Sequence, residues 1–293
     1  MKNKIPLALL IIALISLSMI TSAQSQPQTQ SKGGSNIQAF EVPRGKPSNP
    51  KPVPGISTGT VSDLQEDANK WAIIIGISNY YGTLNDLTYC DDDAEDFYNA
   101  LLSKDGWSTS NIIKLTNSEA TKSEILSAIE WLRTNEKAGD EVVFFYSGHG
   151  TNINFDIDGD GERKDEAIIP YECQAGYFIW DGQLKNEFSD FDSKRIMFYF
   201  DSCYSGGMTD LKGDGRLVLM ACSETQLSLE SSAWQNGQFT YYFVDQGLSS
   251  PSLFADSNHD QKVTFEEAFD YAKANCQRQT PTANDGFTND MLP

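Results

Sequence analysis

Four apolar runs of strand character alternate along this chain with segments of helical spacing, and this alternation constrains the fold more than any other feature. The runs span residues 71–77, 141–146, 195–200 and 216–221, with a shorter one at 112–115. Helical segments are predicted at 92–102, 122–135 and 238–247. Continuous apolar runs are typical of strands buried on both faces, and their alternation with helices indicates a mainly parallel sheet. The sequence therefore predicts an α/β fold with helices covering both faces of a central sheet.

The first 23 residues have the pattern of a secretory signal peptide. Lys2 and Lys4 precede an uncharged apolar run from Leu7 to Leu17, and the small residues around Ala23 suit cleavage. A membrane anchor is the alternative, although the run is shorter than the ~20 residues that a spanning helix needs. No later segment has the length and apolarity to span a bilayer. We expect a secreted or extracytoplasmic protein with no membrane span after signal removal.

A polar segment follows at residues 24–66. It is rich in Gln, Ser, Pro and Gly, a composition that cannot repay its ordering entropy by burial. We interpret it as a linker or pro-segment, and its Arg44, Lys46 and Lys51 would be accessible to a protease that cuts after basic residues. A plain spacer is the alternative. Residues 67–293 then form the folded domain.

Charge and cysteine content narrow the function. The net charge is −19, from 41 acidic and 22 basic residues. Such a surface repels phosphate backbones, so nucleic acid is excluded as a partner, and it suits divalent cations. The five cysteines leave four once a nucleophile is set aside, and four allow three disulfide pairings among which the sequence does not choose.

Two reactive residues follow two of the apolar runs. His149 ends VVFFYSGHG and Cys203 ends RIMFYFDSC. Parallel sheets present ligands at such strand ends, and a Cys/His pair is the minimum for a thiol nucleophile. Inert core residues are the alternative, but the glycines beside both residues favour close approach of a substrate. Backbone N–H groups in these turns can hold a developing oxyanion.

The segments YSGHG and DSCYSGG resemble the caspase-like cysteine peptidases, and most of all the metacaspase branch. The resemblance covers roughly residues 70–247. It implies a caspase-like three-layer sandwich in which Cys203 is the nucleophile and His149 the general acid/base. It further implies that the backbone N–H groups of Gly150 and Cys203 form the oxyanion hole. Caspases proper place Gln and Ala before the nucleophile, whereas this chain has Asp201 and Ser202.

The resemblance also implies an acidic substrate pocket formed by Cys90, Asp93, Ser147 and Asp201. Two carboxylates in a partly desolvated pocket repel one another unless a cation joins them. A substrate Arg or Lys supplies that cation, so we expect cleavage after basic residues. Asp93 alone could instead be a carboxylate at a helix N-terminus.

A second set of sequence features indicates calcium binding. Residues 256–267 fit the ligand spacing of an EF-hand loop, with ligands at Asp256, Asn258, Asp260, Thr264 and Glu267. Gln261 stands where such a loop needs glycine, and Thr264 to Glu267 is also a capping box for a final helix.

Other acidic residues offer a different calcium site. Asp156, Asp158 and Asp160 begin an EF-like loop, but Ala167 stands at its twelfth position. The metacaspase resemblance implies calcium ligands at Asp165, Asp181 and Asp210, with Gly182 where the family often has another aspartate. Calcium bound there would order the loops beside Cys203. We therefore expect calcium as a cofactor and no organic cofactor.

These features predict a secreted, calcium-dependent cysteine endopeptidase that acts on proteins or peptides with accessible Arg or Lys. The family resemblance implies a monomer. Two alternatives stay open. One is a catalytically silent, calcium-binding extracellular module, and the other is an Asn-specific peptidase similar to legumain, which the paired acids oppose.

Overall fold

The computed structural model describes residues 55–65, 67–159 and 161–293. The predicted signal peptide and the predicted linker up to residue 54 lie outside the described residues, as do Glu66 and Asp160.

A six-stranded sheet forms the centre of the molecule. Its strand order is β11-β8-β7-β3-β1-β2, and all neighbours are parallel except the edge pair β8 and β11. Its strands are β1 (Lys70–Gly76), β2 (Ile112–Thr116), β3 (Glu141–Ser147), β7 (Ile196–Asp201), β8 (Arg216–Met220) and β11 (Thr282–Asp285). The inner strands are buried over nearly their whole length, which explains why their sequences are continuous apolar runs.

Helices lie on both faces of this sheet. They are α1 (Cys90–Leu102), α2 (Lys122–Asn135), α3 (Asp181–Glu187), α4 (Gln238–Thr240), a π-helix (Tyr241–Leu248) that continues α4, and α5 (Phe265–Asn275). One apolar core joins α2 and α3 to one sheet face, and a second joins α1, the π-helix and α5 to the other. The predicted three-layer α/β sandwich is confirmed.

Two smaller sheets complete the chain. The first contains β4 (Gly150–Ile153), β5 (Asp165–Ile168) and β6 (Ile179–Trp180), and the second is the hairpin of β9 (Glu230–Ser231) and β10 (Asn236–Gly237). Strand β4 begins directly after His149, and Ser228, two residues before β9, contacts Cys203, so both small sheets lie beside the strand ends that carry the dyad. Within the described ranges, no helix has the length and apolarity needed to cross a membrane.

The local predictions hold within a few residues. Helix α2 has Thr121 as its N-cap, whose side chain accepts from Glu124 N. The capping box of Thr264 and Glu267 opens α5. The segment predicted as a helix at 238–247 is a short α-turn followed by the π-helix, which the sequence pattern did not distinguish.

The described end of the predicted linker packs on the domain. Asp290, which is fully buried, accepts hydrogen bonds from Thr58 N at 2.8 Å and from the hydroxyls of Ser57 and Thr58 at 2.6 Å. Asp270 accepts from Ile56 N and Ser57 N. Residues 56–59 are therefore held against the C-terminal part of the domain.

Candidate active site

The two reactive residues lie at the carboxyl ends of adjacent strands. His149 follows β3 and Cys203 follows β7, and these strands pair in parallel with Ser147 opposite Asp201. Gly148 N donates to the Asp201 carbonyl at 3.2 Å, which joins the two turns. The fold therefore brings the predicted dyad to one sheet edge, as parallel pairing requires.

The imidazole of His149 is fixed by two contacts that the sequence did not reveal. Its Nε2 lies 2.7 Å from the Asn85 carbonyl oxygen, and its ring packs on Tyr80 with 4.8 Å between centroids. A carbonyl can only accept a hydrogen bond, so Nε2 carries the proton and Nδ1 is left as the base. Burial lowers the pKa of His149, which keeps the ring neutral at rest.

Cys203 is a protonated thiol in the resting site. Its Sγ lies 3.9 Å from the Ser228 carbonyl oxygen. Burial raises the pKa of the Cys203 thiol to about 12. The next residue, Tyr204, has a φ of 62°, a left-handed conformation that is costly for a non-glycine residue and recurs at functional sites. All five cysteines are free thiols.

Gly150 lies directly against the nucleophile. A Cβ built on Gly150 would stand 2.2 Å from the Cys203 carbonyl oxygen, so no larger residue fits there without movement. The turn after β3 thus approaches the turn after β7 backbone to backbone, which is where an oxyanion hole was predicted.

The four predicted pocket residues come together beside the dyad. Ser147 Oγ donates to Asp93 Oδ2 at 2.6 Å, and Cys90 hydrogen-bonds with Ser147. Asp201 Oδ2 accepts from Thr240 N at 3.0 Å and Thr240 Oγ1 at 2.8 Å. Its Oδ1 accepts from the Ser228 hydroxyl. One helix, two strand ends and the start of α4 therefore build the pocket.

The two pocket carboxylates face each other across Gly237. A Cβ at Gly237 would lie 2.5 Å from Asp201 Oδ2 and 3.0 Å from Asp93 Oδ2, and Gly237 N donates to Asp93 at 2.8 Å. Burial raises the pKa of both carboxyls, and the charge of Asp201 raises that of Asp93 further. A cation bound between them would relieve this repulsion.

Sequence reasoning missed several residues of this site. They are Asn85, Tyr80, Ser228, Glu230, Gly237 and Thr240. Asn85 and Gly237 act through backbone groups, which leave no residue-type signal in the sequence. The hydroxyls of Ser228 and Thr240 reach Asp201 from segments 27 and 39 residues away, a proximity that only the fold creates.

The residues predicted to bind calcium near the dyad fall into two neighbouring groups. Successive side chains of β5 point to opposite faces. Asp165 joins Asp156 and Asp158, with one carboxylate oxygen of each within 4.8 Å of the others. Glu166 instead faces Asp181, whose pKa is raised to about 8 by burial and then by the charges of Glu166 and Asp210. Lys185 pairs with Asp210 at 3.0 Å.

The EF-like loop at 256–267 is closed by its own hydrogen bonds. Both oxygens of Glu267 accept backbone N–H groups, from Ser257 and from Thr264. The carboxylate of Asp256 accepts from Asp260 N and Gln261 N. Asn258 and Asp260 also bond to each other. Gln261 has a φ of 68°, the left-handed conformation for which such loops use glycine.

Comparison with known proteins agrees with this geometry. The profile of the metacaspase peptidase C14 domain matches residues 70–212, just under half of the chain, and the match contains both dyad residues. Residues 70–212 of this chain are therefore similar to the metacaspase branch of the caspase-like peptidases. That family is one of cysteine-type endopeptidases.

Curated relatives that match this part of the chain include several fungal proteins named Metacaspase-1. Metacaspase-1 of Kluyveromyces lactis is 34% identical over 149 residues, which are 48% of this chain and 34% of the relative. Metacaspase-1 of Meyerozyma guilliermondii is 35% identical over 151 residues, 48% of this chain and 36% of the relative. Metacaspase-1 of Candida albicans is 35% identical over 158 residues, 48% of this chain and 34% of the relative. The aligned part therefore spans about a third of each relative.

A solved structure shares the fold of this chain. The crystal structure of a Geobacter sulfurreducens protein superposes with a TM-score of 0.55 at 18% identity, covering 73% of this chain and 92% of that one. At this identity the likeness concerns the fold alone.

Proposed function

We propose that this chain is a cysteine endopeptidase that cleaves peptide bonds after Arg or Lys. The observation that best supports the proposal is the register pairing of Ser147 with Asp201, at the same strand ends that lead to His149 and Cys203. A guanidinium or ammonium group entering that pocket would meet Asp93 and Asp201. The Ser147 hydroxyl, which now donates to Asp93, can accept a hydrogen bond from the same cation.

The proposed reaction begins from a neutral pair. His149 Nδ1 takes the proton of the Cys203 thiol as Sγ bonds to the scissile carbonyl carbon, and the carbonyl oxygen gains negative charge. Backbone N–H groups in the Cys203 and Gly150 turns would stabilise that oxyanion. The tetrahedral intermediate then collapses, and the imidazolium gives its proton to the leaving amine. Water, deprotonated by His149, hydrolyses the thioester and restores the thiol.

A peptide panel tests this proposal. Peptides that differ only in having Arg, Lys, Asn or Asp before the scissile bond would be incubated with the reduced protein and with Cys203→Ala. We expect turnover of the Arg and Lys peptides by the reduced wild type alone. Turnover of the Asn peptide in their place would support a legumain-like enzyme. No turnover of any peptide, with Cys203 shown to be reduced, would refute the proposal.

Calcium dependence is a second part of the proposal, supported best at Asp165. Its Oδ2 accepts from Ile157 N and Asp158 N, which wraps the 156–158 loop around the carboxylate. Its Oδ1 is buried and has no hydrogen-bond partner among the residues that the structure describes. Together with Asp156 and Asp158 it offers hard oxygen ligands, which calcium prefers. Bound calcium would order the loop between β4 and β5.

Calcium titration calorimetry would test this assignment. We expect binding heat for the wild type, its loss in Asp165→Asn, and its retention in Glu267→Gln, which changes a ligand position of the EF-like loop and leaves the Asp165 group intact. Loss of binding heat in Glu267→Gln but not in Asp165→Asn would assign the calcium site to residues 256–267. If none of the proteins gives binding heat, the proposal of calcium binding is refuted.

We also propose export and a monomeric state. Export is supported by the sequence of residues 1–23 alone, and N-terminal sequencing of protein from culture medium would test it. The monomer is supported by β11, which pairs with the outer edge of β8 and so occupies an edge that a partner's sheet could otherwise join. Light scattering after gel filtration would distinguish a monomer from a dimer.

A further inference from the structure

Glu230, on β9, reaches across the site to the segment that precedes α1. Its carboxylate accepts a hydrogen bond from Thr88 N at 3.0 Å and another from Tyr89 N at 3.0 Å. Tyr89 is the N-cap of α1 and has no side-chain cap of its own. Glu230 therefore caps a 13-residue helix from a distant part of the chain and fixes the segment that leads into it.

The segment that Glu230 holds serves both halves of the site. Helix α1 begins at Cys90 and places Asp93 in the pocket one turn later. Three residues before Thr88, the Asn85 carbonyl orients His149. A shift of residues 85–89 would therefore displace both the Asn85 carbonyl that orients His149 and the helix that carries Asp93.

The part of the chain that carries Glu230 also lies close to the nucleophile and the pocket. Two residues before Glu230, the Ser228 carbonyl contacts Cys203 Sγ, and the Ser228 hydroxyl donates to Asp201. The register partner of Glu230 in the hairpin is Gly237, whose N–H donates to Asp93. The Glu230 side chain therefore joins the segment that contacts Cys203 and Asp201 to the segment that contacts His149.

The electrostatic effect of Glu230 on neighbouring groups agrees with this position in the site. The negative charge of Glu230 raises the pKa of Cys90, Asp93 and Asp201, after the larger effect of burial. It also opposes the lowering of the His149 pKa by burial. The Glu230 carboxylate is therefore close to both the dyad and the pocket.

We propose that Glu230 is a positioning residue of the peptidase, binding the Thr88 and Tyr89 amides so that Asn85, His149 and the pocket acids keep a common geometry while a basic substrate is bound. This inference rests on the proposed function. Nothing in the metacaspase motifs points to Glu230, because its role depends on backbone groups 141 and 142 residues away.

Three variants test the inference through steady-state kinetics on an Arg peptide. Glu230→Ala removes both hydrogen bonds, and we expect kcat to fall by about 10- to 100-fold, the cost of a small misplacement of catalytic groups. Glu230→Gln keeps a carbonyl oxygen that can accept the same amides, so kcat should fall by no more than about threefold. Glu224→Ala removes an exposed acid from the same loop and should leave kcat unchanged.

A second readout keeps the inference separate from the proposed function. Hydrogen exchange of the Thr88 and Tyr89 amides should accelerate in Glu230→Ala and stay near the wild-type rate in Glu230→Gln. Absence of turnover by the wild type would refute the peptidase assignment, whereas unchanged exchange in Glu230→Ala would overturn the positioning role. A loss of kcat as large in Glu230→Gln as in Glu230→Ala would also overturn it, since charge rather than hydrogen bonding would then be responsible.

Discussion

Ser147 and Asp201 are register partners at the carboxyl ends of two adjacent parallel strands. Each lies two residues before a member of the dyad. The pairing of the two strands therefore brings these pocket residues next to the catalytic residues. The pocket and the dyad are therefore parts of one strand-end arrangement, and a change at either strand end should alter both binding and chemistry.

Asp201→Asn should weaken cleavage after Arg selectively. The substitution removes one of two buried carboxylates while keeping the shape, and loss of one partner of a buried charge pair costs about 2–3 kcal/mol, or about 30- to 150-fold in kcat/KM. Steady-state kinetics on Arg and Lys peptides would measure it. Asp92→Asn is the matched control, because Asp92 is exposed and lies beside Asp93 in α1. Equal losses in both variants would argue against the pocket.

The sequence predicted those parts of the site that depend on strand ends. Four strands and the dyad could be located because buried parallel strands have continuous apolar sequences, whereas the pocket residues were implied by the metacaspase resemblance. Asn85, Gly237 and Glu230 could not be predicted, since they act on or through backbone groups brought together by tertiary contacts. Asp165 was expected to bind calcium together with Asp181 and Asp210, but its grouping with Asp156 and Asp158 depends on how the loop before β5 folds over its carboxylate, which the sequence does not show.

Gly237→Ala should damage the pocket without disturbing the dyad. The added methyl group would lie 2.5 Å from the Asp201 carboxylate, so the carboxylates or the hairpin must move. Overpacking of this kind costs about 1–3 kcal/mol of stability, and we expect KM for Arg peptides to rise more than kcat falls. Gly176→Ala is the control, because a Cβ there meets nothing within 4 Å. An unchanged KM in Gly237→Ala would contradict the account of the pocket.

Alkylation of Cys203 should be slow at neutral pH when no substrate is bound. A pKa raised to about 12 means that the thiolate is scarce at pH 7, and its fraction, with the alkylation rate, grows as pH rises toward 12. Mass spectrometry after timed iodoacetamide treatment at several pH values would follow modification of this cysteine, with Cys203→Ala giving the background. A rate that is already maximal near pH 7 would instead show a resting thiolate–imidazolium pair.

Asp290→Ala should destabilise the domain by releasing residues 57–59. The fully buried carboxylate accepts from Thr58 N, Gly59 N and two hydroxyls, and loss of hydrogen bonds to a charged group costs about 1.5–3 kcal/mol. Denaturant unfolding would measure the change. Asp67→Ala, at an exposed position, should leave the midpoint unchanged. If both variants unfold at the wild-type midpoint, the contact of the N-terminal segment contributes nothing to stability.

The ratio of kcat/KM for two peptides that differ only in arginine or citrulline before the scissile bond tests the central claim most directly. Citrulline keeps the shape of arginine and lacks its charge, so the ratio isolates the attraction of Asp93 and Asp201 for a cation. We predict that the reduced wild-type protein prefers arginine by at least about 100-fold, the equivalent of about 2.7 kcal/mol. Comparable cleavage of both peptides would contradict the claim that this paired-acid pocket selects the substrate.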